Sequence, residues 1–399
     1  MASKADRLDR AALHDAAPLT VPVPGVRVTA WPQLDQPDRR AAWHQLAARA
    51  AEPNPFHEAW YLLPALRALD PHGTVQVLQI EAEGALIGLL PLRHEPRYYR
   101  WPIPQLCNWI HGNCFLGAPL VAAGCERPFW RALLGWADRN AGRSLFLHLG
   151  IMPLDGPLYA ALQAVLAEQG RLAGLVHREE RAMLASDLSP QAYFEQSLSG
   201  KKRKELRRQF ARLSELGQVH FERRRDAGGL AEWCEAFLAL EHSGWKGTAG
   251  SALASHHGTA QLLREAMAGA AAHGRLERLT LSLDGQPIAM LINLLTPPGA
   301  YSYKTAFDER YARYSPGVLI QRENLDLLGD AAVRWCDSCA AADHPMIDHI
   351  WRERRPVGRL SIAIGGRLRR AVFKQVLRRE LGRNPAGVDP AVRLQSATH

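Results

Sequence analysis

Residues 276 to 328 limit the possible folds more than any other stretch of this chain. Leu279, Leu281 and Leu283 alternate with polar residues, which predicts a half-buried strand. Asp284-Gly285 follows with the residue pair of a tight hairpin turn. Ile288 to Leu295 is almost unbroken apolar sequence, as in a central strand covered on both faces. Pro297-Pro298-Gly299 turns the chain again. A third strand then carries Tyr301, Tyr303, Thr305 and Phe307 on one face, with Ser302 and Lys304 on the other. Ser315-Pro316-Gly317 opens a helix: Ser is a preferred N-cap and Pro suits the first helical position. Gly317 has no β-carbon, so the amides of Gly317, Val318 and Leu319 are expected to lie open to an anion.

Four blocks extend this pattern. They are Ser199-Gly200-Lys201-Lys202-Arg203, Glu241 to Gly247 (EHSGWKG), Tyr303-Lys304 with Asp308, and Tyr314-Ser315-Pro316-Gly317. With these blocks the chain resembles the GNAT acyltransferase superfamily over roughly residues 183 to 340, and within it the CelD-like (cellulose-biosynthesis-protein-like) branch. Fem-type transferases are related and are built from two such domains. The resemblance implies an α/β (α+β) protein of two GNAT-like domains, each a mixed, mostly antiparallel sheet flanked by helices. It implies an N-acyltransferase that moves an acyl group from acyl-CoA to an amine, with the acceptor in the cleft between domains. On that template residues 288 to 306 present the acyl group. Ser315, Gly317 and Val318 hold the pyrophosphate, Arg313 pairs with a phosphate, and Lys304 contacts a substrate anion.

Acyl transfer to an amine needs a base, an oxyanion site and a proton for the departing thiolate. Glu241, beside Trp245-Lys246, is the first candidate base, the indole desolvating the carboxylate. Its alternative is a surface carboxylate paired with Lys246. Tyr303 is a candidate proton donor to the thiolate, or a sheet-packing tyrosine. Asp308 is a second candidate base and the better loop cap. Trp245 and Lys246 are expected to touch the acceptor.

The charge of +9 and pI near 9.4 favour anionic partners: coenzyme A, tRNA or an acidic membrane surface. Seven basic residues between Lys201 and Arg212 make one helix face strongly positive, which suits any of the three. Two further readings therefore stand beside acyl-CoA: a Fem-like donor, aminoacyl-tRNA, and a non-catalytic envelope polysaccharide scaffold. Six scattered cysteines are too sparse for a disulfide framework. Cys336, Cys339, His344 and His349 are ligand types zinc accepts, but their spacing is not that of a common finger, and no metal is expected. Neither a secretory h-region nor an apolar run of about 20 residues appears, which predicts a cytoplasmic protein.

At 399 residues two domains are expected. The divisions are a mobile tail at 1–24, a degenerate GNAT-like domain at 25–180, the transferase domain at 181–365, and a basic helix with a tail at 366–399. The proline- and aromatic-rich stretch 96 to 120 reads as irregular backbone packed over a core, or as a pocket lining. The last helix carries Leu368, Ala371, Val372 and Val376 on one side.

Overall fold

A computed structural model describes residues 24–342, 344 and 346–383. The two expected tails lie outside the described residues, except for Pro24 and the residues up to 383. The first half runs β1 (Gly25–Ala30), α1 (Pro37–Ala48), α2 (Ala59–Leu69), β2 (Gln76–Ala82), β3 (Ala85–Glu95), β4 (Gln105–Asn108), β5 (Leu120–Val121), α3 (Glu126–Asn140), β6 (Phe146–Pro153), α4 (Pro157–Glu168) and β7 (Ala173–Leu184). Helices α5 (Pro190–Ser197) and α6 (Gly200–Ser214) lead into the second half. That half runs β8 (Val219–Arg224), α7 (Leu230–Ser243), α8 (Trp245–Thr248), α9 (His257–Ala272), β9 (Leu276–Leu283), β10 (Gln286–Thr296), β11 (Gly299–Phe307), α10 (Pro316–Asn324), β12 (Trp335–Asp337), β13 (Glu353–Ala363) and α11 (Arg367–Arg383).

The thirteen strands among the described residues join one sheet, ordered β1-β2-β3-β4-β6-β13-β7-β12-β11-β10-β9-β8, with β5 beside β3. The order repeats from both edges inward. Three antiparallel pairings lead to a parallel one, β4 with β6 and β11 with β12. The chain is thus a mixed α/β fold of two like halves. Each half takes its innermost strand from the other: β13 pairs with β6, and β7 pairs with β12. The boundary expected at residue 180 falls inside β7. Asp337, fully buried on β12, lies 3.0 Å from the guanidinium groups of Arg181 on β7 and Arg355 on β13. Unpairing such a buried carboxylate is strongly destabilising, so this triad holds the exchanged strands in register.

A prediction follows. Fragments 24–180 and 181–383, made separately, are expected to stay unfolded, and to regain secondary structure on mixing. Circular dichroism and amide dispersion check this, and a dispersed spectrum from either fragment alone would refute it.

The hairpin is built as its sequence requires: Asp284 and Gly285 both have positive φ, 47° and 77°. Strand β9 is not half-buried. Met290, Ile292 and Leu294 of β10 face the core shared with α7 and α9, while Leu279, Leu281 and Leu291 face α10. Helices cover both sides, so the polar residues of β9 are buried in pairs. Glu277 takes Arg223, Arg225 and Asn293, at 2.9, 2.7 and 2.8 Å. The halves also meet through α2 and α9. A β-carbon on Gly269 would lie 2.9 Å from Trp60 Cβ, so only glycine permits this approach.

Candidate functional site

The site is the place where the sheet opens. Strands β11 and β12 pair over only three residues, Gly299↔Trp335, Ala300↔Cys336 and Tyr301↔Asp337. Beyond Tyr301 they part, and β11 has no ladder partner on that side. Asp337 is held by the two arginines, and Cys339, at φ 53°, swings the chain away from β11. Residues 288 to 306, the stretch expected to present the acyl group, contain no opening of their own. Strands β10 and β11 instead stay paired from Ala289↔Phe307 to Thr296↔Gly299, with one bulge.

A cavity of about 940 Å³ fills the opening. Ser302, Tyr303, Lys304 and Thr305 form one wall, and Ser338 to Ala341 the facing one. The start of α10 closes the end, and Phe115 reaches in from the first half. The volume suits a ligand-sized group. The matching β4–β6 split of the first half opens less, onto a cavity of about 280 Å³. There Asn108 donates to the carbonyls of Gly117 and Gly150, at 2.8 and 2.9 Å, and accepts from the Gly150 amide at 2.8 Å. One side chain thus staples the strands that the second half leaves apart.

The start of α10 differs from expectation. Ser315 is left-handed (φ 54°), and its side chain caps nothing. Its carbonyl accepts the amides of Val318 and Leu319, at 2.9 and 3.0 Å. Leu319 makes the ordinary fourth-residue helical bond, and Val318 a tighter one, so neither amide is free. The Gly317 amide has no backbone partner among the described residues and sits at the cavity wall. A β-carbon there would lie 2.8 Å from Met346 Sδ and 3.1 Å from Phe307. Leu206 of α6 and Val318 pack against the same buried cluster, which lays the basic helix beside this end of the cavity. Lys201, Lys202, Lys204 and Arg207 are exposed there.

The other expected residues divide. Lys304 and Lys246 line the cavity, and Trp245 stands at its mouth, 61% exposed. Glu241 is buried with both oxygens engaged. Oε1 accepts from Lys246 Nζ at 2.9 Å, and Oε2 accepts from the Leu253 amide at 2.8 Å. The exposed Trp245 does not enclose it. Glu241 therefore anchors the 246–253 segment: the pair with Lys246 is as the alternative reading had it, but the carboxylate is buried and not on the surface. Asp308 is no wall residue: it accepts from the Arg310 amide at 2.9 Å and pairs with that guanidinium at 2.6 Å. The cap wins there because Arg310 neutralises the carboxylate and holds its pKa below the ordinary value, away from the cavity wall. Arg313 stacks over the Tyr314 ring at 4.7 Å and is not a wall residue.

Tyr303 packs its ring on the cavity, and its hydroxyl lies 3.0 Å from that of Tyr61. Tyr61 donates to the Asn113 carbonyl at 2.5 Å, so the Tyr303 proton goes to Tyr61. Burial also pushes the Tyr303 phenol upward. Its proton thus serves the joint between the halves, not a thiolate.

Lys304 is the unusual group. Its ammonium is enclosed by the Phe115 and Tyr303 rings, with Nζ 5.8 and 5.6 Å from their centroids. It lies 4.0 Å from Glu241 Oε1, which Lys246 already occupies. Burial, against the pull of Glu241 and with a smaller push from Lys246, lowers its pKa to about 8. Sequence reading placed Lys304 in the site but as an anion contact. Phe115 comes from the stretch read as core packing or as a pocket lining, whereas Gln321, Ser338 and His344 were not expected here, and no local signal joins them. Cys339 lines the wall, but burial raises its thiol well above the usual range, so it is no nucleophile. No group of three or more His, Cys, Asp or Glu among the described residues is arranged to hold a metal.

Residues 200–344 match the family described as Acetyltransferase (GNAT) domain. No curated protein matches the chain. The structure is similar to the crystal structure of FemX, with 9% identity, a TM-score of 0.52, and 84% of this chain covering 98% of that one. It is also similar to the C-terminal domain of a candidate lysylphosphatidylglycerol synthetase from Agrobacterium fabrum, with 13% identity, a TM-score of 0.50, and 84% of this chain covering 94% of that one. The fold is that of the GNAT superfamily, in its Fem-related two-half form.

Proposed function

We propose that this chain, GNAT in fold, is an N-acyltransferase that moves an acyl group from acyl-CoA to an amine. One observation carries the reading. The parted strands β11 and β12 form a cavity that ends at the Gly317 amide and holds a lysine whose pKa lies near 8. The diphosphate rests at the start of α10, where the free amide and helix dipole favour negative charge. The basic side chains of α6 approach the remaining phosphate. The thioester lies along the unpaired side of β11.

Lys304, partly neutral near pH 8, removes the proton from the attacking amine. The new C–N bond forms as the C–S bond breaks, and Lys304 returns the proton to the departing thiolate. A group with a pKa near the working pH suits both transfers. Trp245 and Phe115 frame the entry for the acceptor. The EHSGWKG and YSPG blocks support the CelD-like branch. An acyl-CoA donor implies action in the cytoplasm.

The test is calorimetric titration with acetyl-CoA and longer acyl-CoAs. Val318→Asp is expected to abolish binding at a modest cost in thermal stability, since Val318 packs on a buried cluster, and circular dichroism checks that the variant stays folded. Its carboxylate repels the diphosphate yet suits the first turn of a helix. Folded wild type that binds none of these donors would overturn the reading.

A second reading keeps the fold and takes aminoacyl-tRNA as donor. It rests on the exposed basic face of α6 beside the cavity and on the likeness to FemX. Gel shifts with bulk tRNA across a salt series separate the two. Steeply salt-dependent binding, lost when α6 is neutralised, favours tRNA.

A further inference from the structure

Helix α11 carries two apolar stripes. Phe373 and Leu377 are buried against Phe146 and hold the helix on the sheet. Leu368, Val372 and Val376, spaced by four, form the second stripe on the outer side. Leu368 is 81% exposed and Val372 47%. An amphipathic surface helix normally keeps apolar residues on the inner face alone. Beside this stripe, Tyr99 and Trp101 are 58% and 49% exposed. These four are most of the exposed large hydrophobic residues among those described, and Tyr99 and Trp101 line one cavity with Val376 of the stripe. An apolar cavity of about 430 Å³ runs between the Tyr98–Ile103 segment and α11, with Val376 in its wall.

The rim is cationic. Arg97, Arg100, Arg367, Arg378 and Arg379 are exposed. The single acid of α11, Glu380, accepts a 2.5 Å hydrogen bond from Tyr98. A second copy of the chain, meeting this face about a two-fold axis, would set arginine against arginine. A nucleic acid would leave Leu368 and Val372 uncovered. An anionic bilayer satisfies both features. Indole and phenol rings favour the headgroup level, aliphatic side chains enter below it, and arginines meet the phosphates. No helix among the described residues is long and apolar enough to cross a membrane.

We propose that the face formed by α11 and the Tyr98–Ile103 segment docks the protein in the interface of an anionic lipid bilayer. This does not depend on the identity of the acyl donor.

The test is co-sedimentation of the full chain with phosphatidylcholine vesicles, with and without phosphatidylglycerol. Wild type is expected to pellet with the anionic vesicles and at least about tenfold less with neutral ones. Trp101→Ser/Leu368→Gln/Val372→Gln is expected to lower that partition by on the order of tenfold at every salt concentration. Arg378→Glu/Arg379→Glu is expected to abolish it at low salt. All five side chains are exposed, so thermal midpoints should match wild type. Wild type that stays in the supernatant overturns the proposal, as does a triple variant that binds like wild type. Light scattering that shows a wild-type dimer, made monomeric by the triple variant, overturns it in favour of a second copy.

Discussion

Lys304→Met is expected to lower kcat by about 10²–10⁴-fold while donor affinity changes only severalfold. The side chain is walled in by Phe115 and Tyr303, and methionine keeps nearly the same volume, so the cavity should survive. What is lost is a cavity group whose pKa, about 8, suits proton transfer near neutrality. Thiol release from acyl-CoA across a panel of amines measures the loss. The pH profile identifies the role. With Lys304 as base, wild-type kcat rises about tenfold per unit below pH 8 and levels above it. Lys304→Arg is the sharper variant. An arginine keeps the charge and cannot act as a base, because its proton does not leave in this range. If Lys304 only held an anion, arginine would restore much of the activity. If it moves the proton, arginine is as inactive as methionine. Full activity of Lys304→Arg would remove the assignment.

The second large effect is acid lability. Burial lowers the pKa of His57 to about 4, of His111 to about 3 and of His148 to about 4, from an ordinary 6.5. The native state therefore prefers neutral rings, while the unfolded chain accepts protons near pH 6.5. Stability is full above that pH and falls as pH drops towards the folded values. At pH 5 each ring costs about 2 kcal/mol. Glu52 and Glu58 act in the opposite direction, since burial raises their pKa and the fold binds their protons more readily. The measurement is therefore a difference in slope. Denaturant midpoints taken from pH 8 to pH 5 should fall steeply in wild type. His57→Gln/His148→Gln should fall less steeply, by up to two protons. Equal slopes would show that these rings titrate normally in the fold.

Much of the second half was legible in local chemistry. Asp284-Gly285 demands a turn that few other pairs make, and the alternating and continuous apolar runs give β9, β10 and β11. Pro316 fits the first turn of a helix and no later one, so the start of α10 could be read to the residue. Residues fixed by their own backbone needs are readable one segment at a time. The resemblance named Lys304, Gly317, Val318, Lys246 and Trp245, and these five line one cavity.

The role of each side chain needed the packed molecule. For Asp308, a base or more readily a cap in sequence, Arg310 decides for the cap, and for Tyr303, an acid or a packing tyrosine, Tyr61 takes the proton. Lys304 owes its pKa to Phe115, nearly two hundred residues away, and to a carboxylate already neutralised by Lys246. The boundary drawn at residue 180 missed the exchange of β7 and β13, because a strand's partner is chosen by sheet register and not by neighbours in sequence. The apolar stripe of α11 was visible as a pattern, yet only the fold could turn Phe373 and Leu377 inward and leave Leu368 outside. Conformational preference is local and travels with the segment. Burial, pairing and pKa depend on which distant groups share a volume, and only the tertiary structure decides that.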